Sequence, residues 1–170
     1  MSEKAYIEFI SGLKDTVFRL ARSIVGSEAE AEDVVQDLFE RVWRARDAVL
    51  TNEYPRAYVC RMAHNLAIDR QRRQARERSF AKERPTNMAS DGNRDTNIVD
   101  ITTLTLHFIG ELPEKQRIAI HMRDVEGYEI EEIAEILDSD ATSIRMNLSR
   151  ARKSVREQLI KLMNYGVEQH

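Results

Sequence analysis

The chain has 170 residues, 42% hydrophobic and 32% charged, which suits one ordinary domain or two small ones with modest cores. Six Gly, three Pro, plentiful Ala, Leu, Glu and Arg, and no strand-length alternation of β-branched and polar residues point to helix throughout and argue against a sheet protein. The net charge of −3 argues superficially against a nucleic-acid partner, but it is the sum of strongly segregated blocks.

The first predicted element is a helix over 2–25, where Ile7, Ile10, Val17, Phe18, Ala21 and Ile24 supply apolar positions and Gly26 offers a C-terminal stop. Ser27 and Glu30 form a capping box for a second helix, in which Val34, Val35, Leu38, Phe39, Val42 and Trp43 keep helical spacing. Eight acids against three bases over 28–53 give this stretch −5. A short loop over 50–54 precedes Pro55 in first-turn position, and Val59, Met62, Ala63 and Leu66 mark one apolar face of a third helix that continues into RQRRQARER. Nine bases against three acids make 56–84 a +6 segment.

Over 80–97 the periodicity disappears and Pro, Gly, Asn, Asp and Ser collect, predicting a flexible linker between domains at 1–79 and 98–170. Its 18 residues reach at most about 60 Å, enough to hold two domains on separated DNA elements. In the second half, Ile101, Leu104 and Phe108 mark a helix ended by Gly110, and another begins at Pro113, uses Ile118, Ala119 and Met122, and breaks at Gly127. Ile130, Ile133, Ala134 and Leu137 fall at i, i+3, i+4 and i+7, and a tight polar turn over 138–140 leads into a last helix with core face Ala141, Ile144, Leu148, Ala151, Val155 and Leu159. Residues 124–140 carry eight acids and no base, whereas 145–161 carry six bases and one acid. The expected fold is therefore all-α, two small helical domains, with a helix-turn-helix over 129–161 that docks on double-stranded DNA.

On the last helix the face opposite the apolar stripe holds Thr142, Arg145, Met146, Ser149, Arg150 and Lys153. Arginine pairs bidentately with guanine, serine is a short adaptable donor, and the helix N-terminal amides with Thr142 or Ser143 can hold a phosphate. The bland reading of the same face is a solvated amphipathic helix. One cysteine, Cys60, excludes an internal disulfide, and four scattered histidines give no metal-ligand spacing, so neither metal nor cofactor is expected. No apolar run nears the roughly 20 residues that span a bilayer, and MSEKAYIEF lacks the basic-then-apolar order of a signal peptide, so a cytoplasmic protein without membrane insertion is expected.

With these motifs in order, the chain resembles the extracytoplasmic-function (ECF) sigma factors, the sigma-70 group containing only regions 2 and 4. LPEKQRIAIHMRDVEGYEIEEIAEIL followed by SIRMNLSRARKSVREQL is similar to region 4; AEDVVQDLFERVW resembles region 2.2, and RAYVCRMAHNLAIDRQRR resembles regions 2.3 and 2.4. The resemblance implies that region 4 reads the minus-35 duplex and that region 2.2 grips a helical coiled coil of the polymerase β′ subunit, with Asp33, Gln36, Asp37 and Glu40 as the polar surface. It further implies core RNA polymerase, through its β′ and β subunits, and promoter DNA as partners, an anti-sigma factor as a probable third, and no small-molecule substrate.

Arg61, Asn65 and Asp69 lie at i, i+4 and i+8 and match the family's positions for capturing an unstacked minus-10 base, while Arg70, Arg72, Arg73 and Arg76 would anchor phosphates. Asp69 paired with Arg72 or Arg73 is the structural alternative, and His64 beside the stripe reads as incidental. Two departures stand out. Tyr58 and Val59 occupy positions where the family usually has Trp-Leu, and Asp140, Ala141 and Thr142 stand where a glycine is common. A helix-turn-helix regulator of response-regulator type, acting without core polymerase, remains the alternative; an enzyme with a DNA-binding appendage lacks a phosphate loop, nucleophile motif or metal cluster.

Overall fold

The computed structural model describes residues 2–81 and 100–167, and every regular element among them is helical. Helix α1, Glu3–Val25, is capped by the Ser2 hydroxyl on the Ala5 amide and ended by Gly26, whose φ of 75° is left-handed and suits a residue without Cβ. Helix α2, Glu28–Arg44, starts from Ser27, whose side chain accepts from the Glu30 amide at 3.5 Å. Glu30 turns its own carboxylate to Arg70 instead of back to the cap. The loop expected over 50–54 is shorter, because Ala48, Val49 and Leu50 contain no breaker and extend a short helix α3, Arg46–Thr51, that buries Val49. Helix α4, Pro55–Ala81, takes in the first residues of the expected linker. The rest of that expectation lies outside the described residues.

Helices α1, α2 and α4 pack pairwise. Leu13, Val17, Leu20, Val34, Leu38, Val42, Val59 and Ala63 are buried at the centre of this bundle. Ile7 and Trp43, expected in the core, are largely exposed; Trp43 instead packs edge-on against Tyr6, ring centroids 4.8 Å apart, with the Arg46 guanidinium over its ring.

In the second half, α5 spans Ile101–Gly110 and α6 Glu114–Ile120, followed by a π-helical turn over His121–Val125 and the left-handed Gly127 at φ 77°. Helix α7, Ile130–Leu137, opens on a capping box of Glu129 and Glu132 and ends at left-handed Asp138; α8 is Ala141–Val167. Helices α5, α6 and α7 pack on α8, burying Ile118, Met122, Ile133, Ile136, Ile144, Leu148, Ala151 and Val155. Ile101 stays exposed.

The halves also dock on one another. Helix α7 lies along α4, α6 touches α1, and the buried apolar side chains of both halves form one connected cluster. No helix among the described residues is long and apolar enough to cross a membrane, and no cluster of His, Cys, Asp and Glu there could hold a metal ion.

Leu38 is fully buried at the centre of the first bundle. Leu38→Ala is expected to cost about 2–5 kcal/mol, and Asp37→Asn on the exposed face of the same helix less than about 0.5 kcal/mol. Urea unfolding followed by fluorescence of the single tryptophan, Trp43, measures both.

Candidate nucleic-acid interface

Successive residues on a helix turn by about 100°, so i, i+4 and i+8 advance by roughly 40° per step rather than stacking in a straight line. On α4 this drift separates the three residues expected to capture a base. Arg61 lies toward α7, where it donates to Glu135 Oε1 at 3.1 Å and sits 3.4 Å from Asp138 Oδ1. Asn65 is exposed in the middle, its Oδ1 3.4 Å from His64 Nδ1. Asp69 is exposed on the far side and lines, with Asn65, Met62, Leu66 and Arg41 of α2, a cleft of about 160 Å³. Asp69 forms no ion pair with Arg72 or Arg73 among the described residues. Arg41, which brings a cation to this cleft, was not singled out in the sequence because it lies on another helix.

Arg72, Arg73 and Arg76 are exposed along the next two turns, each without a carboxylate partner among the described residues. Arg70 behaves differently. It is pinned to Glu30 and, at 2.7 Å, to Asp33 of α2, so it holds the bundle together instead of standing ready for a phosphate.

On α8, Thr142, Arg145, Met146, Ser149, Arg150 and Lys153 are all exposed. Arg145, Ser149 and Lys153 line a concavity of about 570 Å³ whose other walls are Ile130, Leu148, Arg123, Arg152 and Arg156. Arg123 and Arg152 are held there by Glu129 and Asp124, at 3.0 and 2.6 Å. These three additional arginines were not read as site residues. Arg152 and Arg156 lie on α8 itself and follow its helical spacing from Arg145 and Ser149, whereas the approach of Arg123 depends on how the turn over 121–125 folds against α8. Ser143 is oriented inward: its amide donates to Asp140 Oδ1 at 2.7 Å and its hydroxyl to Oδ2 at 3.0 Å. The Asp140 carboxylate thereby takes the helix N-terminal position expected to hold a phosphate, and those hydrogen bonds keep its pKa below the usual carboxylate range. None of residues 140–142 has a positive φ, so no glycine is needed there; the left-handed position of the turn is taken by Asp138 at φ 49°.

On α2 the exposed acidic and polar residues divide between two grooves. Asp33 and Asp37 face the α4 side, where Asp37 shares a hollow with Arg41, Arg70 and Arg73. Gln36 lines a shallow, mainly apolar groove of about 520 Å³ with Phe18, Val35 and Phe39. Glu40 pairs along the helix with Arg44.

Comparison with known proteins gives this surface its context. Residues 9–77 match the family described as Sigma-70 region 2, and residues 104–155 match Sigma-70, region 4. The chain belongs to the ECF sigma factors. It is 25% identical over 168 residues to the ECF RNA polymerase sigma factor SigW of Bacillus subtilis, covering 92% of this chain and 90% of that one. It is 28% identical to the ECF sigma-E factor of Haemophilus influenzae, covering 95% and 90%. Among solved structures, the sigma factor RpoE of Bartonella quintana, in complex with the anti-sigma factor NepR, shares the fold with a TM-score of 0.72 at 22% identity, over 90% of this chain and 97% of that one. CnrH, in complex with the cytosolic domain of CnrY, gives 0.63 at 24%, over 94% and 90%.

The function follows from membership: an RNA polymerase sigma factor that directs core polymerase to promoters and promotes DNA melting. A stand-alone regulator is not favoured, because region 2 occupies the half that such a reading left to dimerisation or sensing.

Between the halves of this sigma factor lies a polar seam. Glu126, almost fully buried, accepts from Thr16 at 2.9 Å and from Arg19 at 2.6 and 2.9 Å. Burial alone would raise its pKa, but these hydrogen bonds and the charges of Arg19 and His121 outweigh it and hold the carboxyl below its ordinary range. Cys60 Sγ and Tyr128 Oη lie 3.3 Å apart, and burial pushes the thiol up to about 12. His121 Nε2 is 3.1 Å from Glu126 Oε1 but poorly aligned for a hydrogen bond, and His64 Nε2 is 4.0 Å from Glu114. Burial lowers both histidine pKa values below 6.5, overcoming the pull of Asn65 and Glu114 on one and of Glu126 on the other.

A lowered histidine pKa stabilises the docked state fully above pH 6.5, and that stabilisation is lost as pH falls through the lowered values. The thermal midpoint of the native protein is expected to fall more steeply between about pH 7 and about pH 5 than that of a His64→Gln/His121→Gln double variant. Parallel slopes in circular-dichroism melts would show that the two histidines do not couple docking to pH.

Proposed function

We propose that this sigma factor divides promoter recognition between a domain at 1–79 and a domain at 98–170. The second domain reads the minus-35 duplex with α8: Arg145, Met146, Ser149 and Arg150 face base edges, while Thr142 and Lys153 border the backbone and Ser143 stays engaged with Asp140. The observation that carries this assignment is the concavity in which Arg123, Arg145, Arg152, Lys153 and Arg156 converge on one exposed surface. Its dense positive charge suits a phosphate backbone, and the exposed serine and methionine beside it suit base edges.

The first domain captures the melted minus-10 strand on α4. Asn65 and Asp69 offer hydrogen bonds to an unstacked base at the cleft they share with Arg41, Arg61 holds the adjoining backbone, and Arg72, Arg73 and Arg76 continue the phosphate track. The unstacking cost of a few kcal/mol per step is offset by captured bases and polymerase contacts. Asp33, Gln36, Asp37 and Glu40 present α2 to the β′ coiled coil, where complementary charge sets register and on-rate, and the β subunit contributes the rest of the docking. The protein works in the cytoplasm by binding energy alone, and bond chemistry belongs to the polymerase. The relative RpoE is bound to the anti-sigma factor NepR and CnrH to the cytosolic domain of CnrY, which supports an anti-sigma factor as regulator here as well.

In holoenzyme reconstituted with core polymerase, Arg145→Ala is expected to weaken minus-35 duplex binding by about 1–3 kcal/mol, roughly 5- to 150-fold, with little change in the opening step. Asn65→Ala should instead slow promoter opening by roughly tenfold and leave duplex binding within a factor of about two. Equal effects of both changes in both assays would remove the division of labour.

A further inference from the structure

The acidic block over 124–140 is out of place in a DNA-reading domain: eight acids directly precede the basic helix that must approach phosphates. Half are accounted for locally. Asp124 pairs with Arg152, Glu129 with Arg123, Glu132 caps α7 and Asp140 caps α8. The remaining paired acids, Glu126, Glu135 and Asp138, reach across to the other half, where they take Arg19 and Arg61.

Arg61 is the residue that the proposed function places on the single strand, and in this arrangement two carboxylates of the second half already occupy its guanidinium. The seam is reinforced beside it. Tyr128 covers the Cys60 thiol, Cys60 is fully buried, and Glu126 locks Thr16 and Arg19. The recognition face of α8 is left open in the same arrangement, with Arg145, Ser149, Arg150 and Lys153 exposed.

We propose that α7 is an internal blocker of the strand-capturing face: Glu135 and Asp138 stand in for the DNA backbone on Arg61, closing the chain on itself while leaving duplex recognition free. Carboxylate and phosphate compete for one guanidinium, so strand capture and closure exclude each other, and each weakens the other by the same factor. The proposal rests on the reading of Arg61 as a strand contact. It implies an order of events in which α8 engages duplex before α4 is uncovered.

Cys60 is the only cysteine in the chain and lies under the seam, so its labelling rate reports opening. The full-length protein would be treated with a maleimide at fixed pH, comparing wild type with Glu135→Gln/Asp138→Asn. Each partly exposed pair biases closure by up to about fivefold, so the double variant is expected to label roughly tenfold faster, with Trp43-monitored unfolding of the first bundle unchanged. Equal labelling rates would overturn the proposal. A salt titration of the wild type gives an independent measurement should the variant fold poorly: raising salt from about 0.05 M to about 0.5 M screens the pairs and should speed labelling, and a flat profile would overturn closure by these charges.

A random-sequence single-stranded 20-mer then separates the two layers. In the opened variant it should bind several-fold more tightly than to wild type, and Arg61→Ala in that background should remove the gain. Fast labelling with strand binding indifferent to Arg61 would mean that the halves open as described but that Arg61 is not the strand contact, overturning the blocker through that reading alone.

Discussion

Helix α4 has to satisfy packing demands on two sides at once, and the rest of the molecule is arranged around that constraint. Ala57, Val59, Cys60, Ala63 and Ala67 of α4 are all fully buried; the helix packs on α1 and α2 and also on α7, and Cys60 meets Tyr128 on the side of the second half. An amphipathic surface helix needs only one such stripe. With a second, the helix cannot leave that side in water without exposing apolar surface at about 25 cal/mol per Å². The second half therefore acts as a cover as well as a DNA reader. The buried side chains at 57, 60, 63 and 67 are small, which suits a helix that is packed by four others, α1, α2, α3 and α7, and still presents a polar strip between them.

Electrostatics follow the same geometry. The chain alternates acidic and basic blocks, and both acidic blocks lie against the basic segment 56–84, Glu30 and Asp33 at Arg70 and Glu135 and Asp138 at Arg61, while Glu126 takes Arg19 of α1. The resulting pairs are unequal. Arg70 and Glu30 are partly buried between helices of one bundle, Asp33 joins them from the exposed side, and together they fix how α2 lies on α4. The Arg61 pairs are one-third exposed on the arginine side, weak individually in water, and therefore easily exchanged for a phosphate. Glu126 is the strong member of the set. Its burial with two hydrogen-bonding partners makes removal of either side costly, because a desolvated carboxylate would be left behind.

Elements whose determinants are local were legible before any coordinates. Ser27 caps a helix, Gly26 and Gly127 take left-handed conformations, and the apolar positions of α8 fall where a period of 3.6 puts them. Leu13, Leu20 and Ile136 belong to the same stripes and were simply not needed to define them. What escaped was decided by partners remote in sequence. Trp43 has helical spacing with the core of α2, yet Tyr6 and Arg46 give it a more favourable place at the surface. Docking of the halves depends on Thr16 with Glu126, 110 residues apart, and Cys60 with Tyr128, 68 apart. A composition-based boundary marks where two units can be separated in sequence and carries no information about whether their surfaces match.

The candidate site shows this limit at the scale of single turns. Arg61, Asn65 and Asp69 share a face by spacing, and family resemblance assigns them one task, but a drift of roughly 40° per step spreads them over about 80° of the helix. That is enough to place Arg61 within reach of α7 and Asp69 beside α2, with Asn65 between them and both Asn65 and Asp69 exposed. A strand lying along such a diagonal would cross from one neighbouring helix to the other as it moved along α4. The first contact it meets unobstructed is Asn65, and the one it must compete for is Arg61. The three residues are thus better regarded as a path with one gated end than as a single pocket. Under the proposed roles, Glu135 and Asp138 belong to the half assigned to duplex DNA, so the spacing of residues on α4 would couple the two recognition events.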